Sequence, residues 1–269
     1  MGVGGIWDYF CLNLVRLHTS FGRMISYASF LILQIPLCFI VLFYSKNKLL
    51  KSGAFIGIIL LFFCLILNAT RAAWVAIVVS LIIISFFKNR KFACGLLICI
   101  IIGGLFLPAQ LKYRAITTAD PLTWGERVPL WNIAIRMFND YPIFGVGLGM
   151  QEKLFSTYWK QSIYFPTFKY WHSHNNYLEI AAETGIVGIL SFLYIFVTFL
   201  KNAYSRGKLL KDNESIVFLG LTGCIIATLI LAMSDSNVTV GVQDAAVFWF
   251  IFGIVSGLIF FRKTPENIA

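Results

Sequence analysis

Apolar residues run almost unbroken over about residues 24–44, 53–68, 72–87, 92–107, 184–200, 215–233 and 244–261. Each run is near the length a helix needs to cross about 30 Å of hydrocarbon. The runs at 53–68, 72–87 and 92–107 are short, so neighbours such as Ser52 and Phe92 are needed to complete them. The pattern predicts an all-α integral membrane protein with about seven transmembrane helices. Between the fourth and fifth runs the pattern changes. The segment at 108–183 is too long for a structureless connection and is expected to fold in part. Within it, "ERVPLWNIAIRMFND" at 126–140 reads as an amphipathic helix with Pro129 in its first turn, where a missing donor does no harm. Asn132, Arg136 and Asn139 form its polar face; Trp131, Ala134, Ile135 and Phe138 form the apolar face that would lie on the membrane surface. "DYPIFGVGLGM" at 140–150 then breaks the helix with Pro142 and the alternate glycines Gly145, Gly147 and Gly149. GxGxG without a surrounding βαβ unit is no dinucleotide loop; a tight corner exploiting positive φ is expected instead. Ser173 is the expected N-cap of a helix starting at about His174 and continuing to Leu200.

Composition strengthens the membrane reading. Hydrophobic residues make up 59% of the 269, charged residues only 13%, and mean hydropathy is +0.80. The net charge of +10 has a topological origin. Basic residues cluster at Lys46, Lys48 and Lys51, at Lys88, Arg90 and Lys91, at Lys201, Arg206, Lys208 and Lys211, and at Arg262 and Lys263. These connections alternate along the chain, which the positive-inside rule assigns to the cytoplasm. The turn at 69–71, the segment at 108–183 and "SDSNVTVGVQ" at 234–243 then face outward, and nucleic acid is not needed to explain the charge. Three regions follow: 1–107 with four spans, a large, partly helical periplasmic loop at 108–183, and 184–269 with three spans and a short cytoplasmic tail. Residues 1–23 would lie outside without the features of a signal peptide, so either "GIWDYFCLNLVRL" is the remnant of an earlier span or, the preferred expectation, the chain is the C-terminal part of a longer protein. Cys38, Cys64, Cys94, Cys99 and Cys224 sit inside apolar runs as small hydrophobes and Cys11 lies elsewhere; disulfides and sulfur-ligated metal are not expected.

Polar groups crowd one place. In "YWHSHNNYLEIAAETGIVG" at 170–188, His174, Tyr177, Leu178, Ala181, Gly185 and Gly188 share a helical stripe. Asn175, Glu179 and Glu183 lie beside it, facing water or a protein cavity because a charge in lipid is expensive. His174 has two open readings: a locally hydrogen-bonded interfacial residue, or a general base, since imidazole titrates near neutral pH. His172 and His174 could begin a metal site, but no third ligand of suitable spacing is visible, and no metal is expected. Arg71 in "NATRAAWVAI" opposes the positive-inside tendency unless it snorkels. Arg127 either stacks on aromatic residues or points into a cleft.

These residues resemble the bacterial O-antigen ligases and the related lipid-linked polysaccharide polymerases. The resemblance rests on a histidine and asparagine, nine residues, a glycine, two residues and a second glycine, here His174, Asn175, Gly185 and Gly188. "ATRAAW" is similar to the family's short arginine turn, "RVPLWNIAIRMFNDYPIFGVGLG" to the opening of its large periplasmic loop, and "FGRMISYASFLILQIPL" at 21–37, less closely, to a segment with an arginine before a span. The likeness covers about residues 20–260, although family members carry about a dozen spans.

The resemblance implies a multi-pass enzyme of the bacterial inner membrane with its active face in the periplasm and a cytoplasmic C-terminus. It implies a metal-independent, inverting glycosyltransferase without cofactors. His174 would be the catalytic base; Arg71 and Arg127 would hold the donor diphosphate; Tyr177, Glu179 and Arg23 are second-tier candidates without an assigned role. The donor would be an undecaprenyl diphosphate-linked glycan. The acceptor would be lipid A-core for a ligase, or another lipid-linked glycan for an O-antigen or capsular polysaccharide polymerase; the signature leans towards the ligase. A transporter, or a non-catalytic membrane subunit supporting a partner, is the reading from other classes. Charges are nearly absent from the middle of the runs, which argues against transport, and only Asp235 and Asp244 approach a span, near its outer end.

Overall fold

The computed structural model describes residues 24–260 apart from 69, 89, 106–111, 114–115, 117–126, 160–171, 211, 237 and 239–241. Arg23, Cys11, the N-terminal segment and the basic pair Arg262 and Lys263 lie outside the described residues. The longer elements among those described are all helical: α1 (Met24–Tyr44), α2 (Lys48–Asn68), α3 (Arg71–Lys88), α4 (Arg90–Leu105), α5 (Arg127–Asp140), α6 (Met150–Tyr158), α7 (Asn176–Leu209), α8 (Asp212–Leu231) and α9 (Val242–Phe260). All seven apolar runs are therefore helical over most of their described residues. By length and composition, stretches over Ser26–Phe43, Lys48–Ile66 and Asn176–Leu209 suffice to cross a membrane; apolar stretches at Arg71–Ile83, Val217–Leu231 and Ala245–Phe260 are shorter.

The bundle is arranged around α8, which packs against α1, α3, α7 and α9. Residues 222–228 of α8 are buried without interruption, the condition of a helix that is apolar all round and enclosed by others. Close approach is secured by small and hydroxyl residues. A Cβ at Gly220 would collide with the Ile40 side chain of α1, and Ser80 on α3 donates to the Gly223 carbonyl at 2.8 Å. Two apolar clusters meet on α8. One joins Ala28, Ile32, Leu65, Ala73 and Ile77 to Leu231; the other joins Phe196, Phe199, Phe248 and Val255 to Phe218 and Ile225.

A third cluster seats α5 and α6 against the start of α7, using Leu130, Ile133, Ala134, Met137, Phe155 and Ala182. The buried stripe of α5 is thus Leu130, Ile133, Ala134 and Met137, rotated from the expected Trp131, Ala134, Ile135 and Phe138; Ile135 is exposed. The expected polar face of Asn132, Arg136 and Asn139 is exposed. The rotation has a tertiary cause: this helix packs on α7 and α6, and the packing partner decides which stripe turns inward. Tyr158 closes the pair by donating to Asp140 Oδ2 at 2.8 Å.

Candidate functional site

The connection between α5 and α6 makes the expected corner, with Gly145, Gly147 and Gly149 at φ of 68°, 105° and 69°. It inserts its backbone into α7. Val146 and Gly147 donate to the carbonyls of Ala182 and Glu183 at 2.9 Å each, and Ile186 and Val187 donate to the carbonyls of Pro142 and Ile143 at 2.8 and 3.3 Å. Four helix-breaking exchanges are possible because Gly185 leaves the helix, at φ 66° and ψ −162°. A Cβ at Gly145 would collide with the Glu183 backbone, and one at Gly185 with the Ile143 carbonyl. Gly185 is therefore the hinge of α7, cross-linked to the glycine corner through main-chain atoms. A Cβ at Gly188 would strike the Thr184 side chain, so both glycines of the spacing motif have a steric reason. Glu183 adds a side-chain link, accepting from Gln151 N at the start of α6 at 3.2 Å, where a carboxylate complements the helix dipole.

The nine residues before the hinge form a short N-terminal segment of α7. Its N-cap is Asn175, whose side chain accepts from the backbone of Tyr177 and Leu178 at 3.0 and 3.2 Å. This corrects the expected cap at Ser173 and start at His174. Asparagine reaches the exposed amides of the first turn, while Ser173 Oγ donates to the Asn175 carbonyl at 2.8 Å. His174 consequently sits before the helix, and among the described residues it alone of the non-glycines has positive φ, at 48°. Such a backbone is costly for a side chain with a Cβ and needs surrounding contacts to hold it.

Those contacts come from the loop after α8. Asn176, fully buried, donates its backbone N–H to Ala232 at 2.9 Å, and its Oδ1 accepts from Val238 N at 3.2 Å. Ser236 Oγ donates to Glu179 Oε2. Tyr177 donates its hydroxyl to the Leu229 carbonyl at 2.8 Å. Glu179 is thus buried within protein, at 5% exposure, where it was expected to face water or a cavity; Asn176, Glu179 and Ala182 make up the inward side of this segment. Both second-tier candidates within reach, Tyr177 and Glu179, act as anchors, at Leu229 and Ser236.

The anchored loop presents Asp235. Its Oδ1 lies 3.0 Å from His174 Nδ1, with both side chains partly exposed. The His172 and His174 rings stand 4.2 Å apart at an angle of 63°. Donor atoms of His172, His174 and Asp235 all lie within 4.8 Å of one another, so the third group that local spacing did not reveal is Asp235, from a segment 61 residues further along the chain. The only signal in the sequence was its position at the outer end of a span.

Arg71 and Arg127 are the first residues of α3 and α5, both partly buried. Each helix packs against α7. The structure therefore pairs His174 with Asp235, while Tyr177 and Glu179 bond Leu229 and Ser236 on the same side of α7; Arg71 and Arg127 begin two helices that pack on α7, and neither is brought into contact with His174 by the bonds described.

An uncharacterized protein of Haemophilus influenzae is 28% identical to this chain over 233 residues, an alignment that takes in 76% of the chain. The chain spans 56% of that relative's length. The family model described as O-antigen ligase matches residues 56–193, a little over half of the chain, including most of α2, α3 to α6, the glycine corner, the histidine segment and the hinge.

Proposed function

The chain belongs to the O-antigen ligase family, and from that premise we propose that it is a membrane glycosyltransferase with His174 as catalytic base. It would move a glycan from an undecaprenyl diphosphate-linked donor to a sugar hydroxyl of lipid A-core, at the periplasmic face of the inner membrane. The observation that carries this reading is the 3.0 Å contact between His174 Nδ1 and Asp235 Oδ1. A carboxylate on one ring nitrogen favours the tautomer with its proton there and leaves Nε2 as a proton acceptor.

In the reaction, the acceptor hydroxyl oxygen attacks the anomeric carbon on the side opposite the diphosphate. The bond from that carbon to the diphosphate oxygen breaks, the hydroxyl proton passes to Nε2, and Asp235 stabilises the resulting imidazolium. Attack from the opposite side inverts the anomeric centre. Arg71 and Arg127 supply the charge for the leaving diphosphate, because guanidinium forks match phosphate oxygens and stay ionised. Transfer then requires neither a metal nor outer-face ATP.

His174→Ala should lower transfer from a purified lipid-linked donor by about 10²–10⁴ while the protein stays inserted. Arg127→Lys should also impair it, since a point charge cannot replace a bidentate fork. Normal rates in both variants would overturn the assignment. The glycans of a deletion strain separate the two acceptors: unattached long chains mark a lost ligase, single repeats a lost polymerase.

A further inference from the structure

We propose that His172, His174 and Asp235 form a binding site for a divalent transition-metal ion of the zinc class, and that occupation of this site switches transfer off. The inhibitory half of the proposal rests on His174 being the base; the metal site does not.

The donor set carries the identity of the ion. Two imidazoles and one carboxylate with a free fourth position suit Zn²⁺, and also Ni²⁺ or Cu²⁺, whereas Mg²⁺ and Ca²⁺ demand shells of oxygen. Size agrees with this. Ligand bonds of about 2.0–2.2 Å in a tetrahedron separate the donor atoms by about 3.4 Å. His174 Nδ1 and Asp235 Oδ1 stand at 3.0 Å, and all three donors fall within 4.8 Å. Small side-chain rotations close the difference.

The three groups are also held in place. His172 and His174 flank Ser173, which is fully buried and fixed by its hydrogen bond to the Asn175 carbonyl. Asp235 lies between two anchors of its loop, Ala232 bonded to Asn176 N and Ser236 bonded to Glu179. The left-handed backbone of His174 is strain confined to the one residue that both the carboxylate and the second imidazole approach.

Inhibition follows from proton bookkeeping on one ring. Without metal, Nδ1 carries the proton and donates it to Asp235, and Nε2 accepts. An ion bound at Nδ1 displaces that proton, which relocates to Nε2; the nitrogen that received the acceptor's proton becomes a donor. Asp235 at the same time turns its charge to the ion. His172 contributes to holding the ion and has no part in the transfer step.

The test uses the purified chain carrying a tag without histidines. Zn²⁺ is titrated calorimetrically, Co²⁺ is followed by its visible absorption, and glycan transfer is measured across a Zn²⁺ series. The expected result is one Zn²⁺ per chain and loss of transfer as it binds. His172→Ala, with His172→Gln as a second variant should the first fail to fold, should weaken Zn²⁺ binding by about tenfold or more. The zinc level for half-inhibition should rise by the same factor, with zinc-free transfer within about twofold of the parent. A parent that binds no Zn²⁺, or a His172 variant that binds and is inhibited as the parent is, would sink the metal site. If His174→Ala transfers normally, the base assignment fails, while the calorimetry of parent against His172 variant still judges the metal site alone.

Discussion

In the proposed reaction, the contact of Asp235 Oδ1 with His174 Nδ1 sets which ring nitrogen accepts the hydroxyl proton. An amide at position 235 would offer an N–H to Nδ1 and favour the wrong tautomer, at nearly unchanged volume. Asp235→Asn is therefore expected to lower kcat by about 10- to 100-fold with little change in KM, read in a transfer assay with saturating donor. Loss in KM alone would mean that Asp235 serves binding and not the base. The histidine was legible in the sequence, from its place in the spacing motif; its partner was not. Asp235 reaches it from 61 residues away, and helical periodicity speaks only of neighbours within a turn or two. The cap was misplaced for a related reason. Ser173 and Asn175 are both good capping residues, and the choice between them depended on the backbone at His174, which is held from the far loop.

At the scale of the elements, the glycine corner and the hinge of α7 act as one unit. The sequence announced the glycines on both sides, and the corner formed with the positive φ values expected of it. That the two would dock was not legible, since the bonds between Val146, Gly147, Ile186 and Val187 and their partners are all main chain and leave no side-chain signature. Gly145→Ala and Gly185→Ala should each cost at least about 2 kcal/mol, from positive φ and from the backbone collision together, seen as a lower thermal midpoint in detergent. Gly253→Ala on α9 is the control, because a Cβ there meets open space; it should leave the midpoint unchanged or, through alanine's better helix propensity, raise it. Equal midpoints for all three would show that the docked corner contributes nothing to stability.

For the molecule as a whole, α2 displays what composition implied. Phe55, Ile59 and Phe63, spaced by one helical turn, are each more than half exposed, a stripe that only lipid or a further helix would shield from water. Hydropathy made these helices legible, since each of the seven apolar runs is helical over most of its described residues. Sidedness rests on the positive-inside rule alone. It predicts that alkaline phosphatase fused after Tyr158 is active in cells and that a fusion after Leu210 is inactive; the reverse pattern would invert the topology and with it the location of His174. Around the hinge, Ile143, Phe144 and Leu148 point outward, with exposures of 57%, 74% and 81%, while the bonds beneath them use no side chain. Mutational drift can repaint this rim without disturbing the joint below, so divergent descendants should keep their glycine spacing and differ in the residues that crown it.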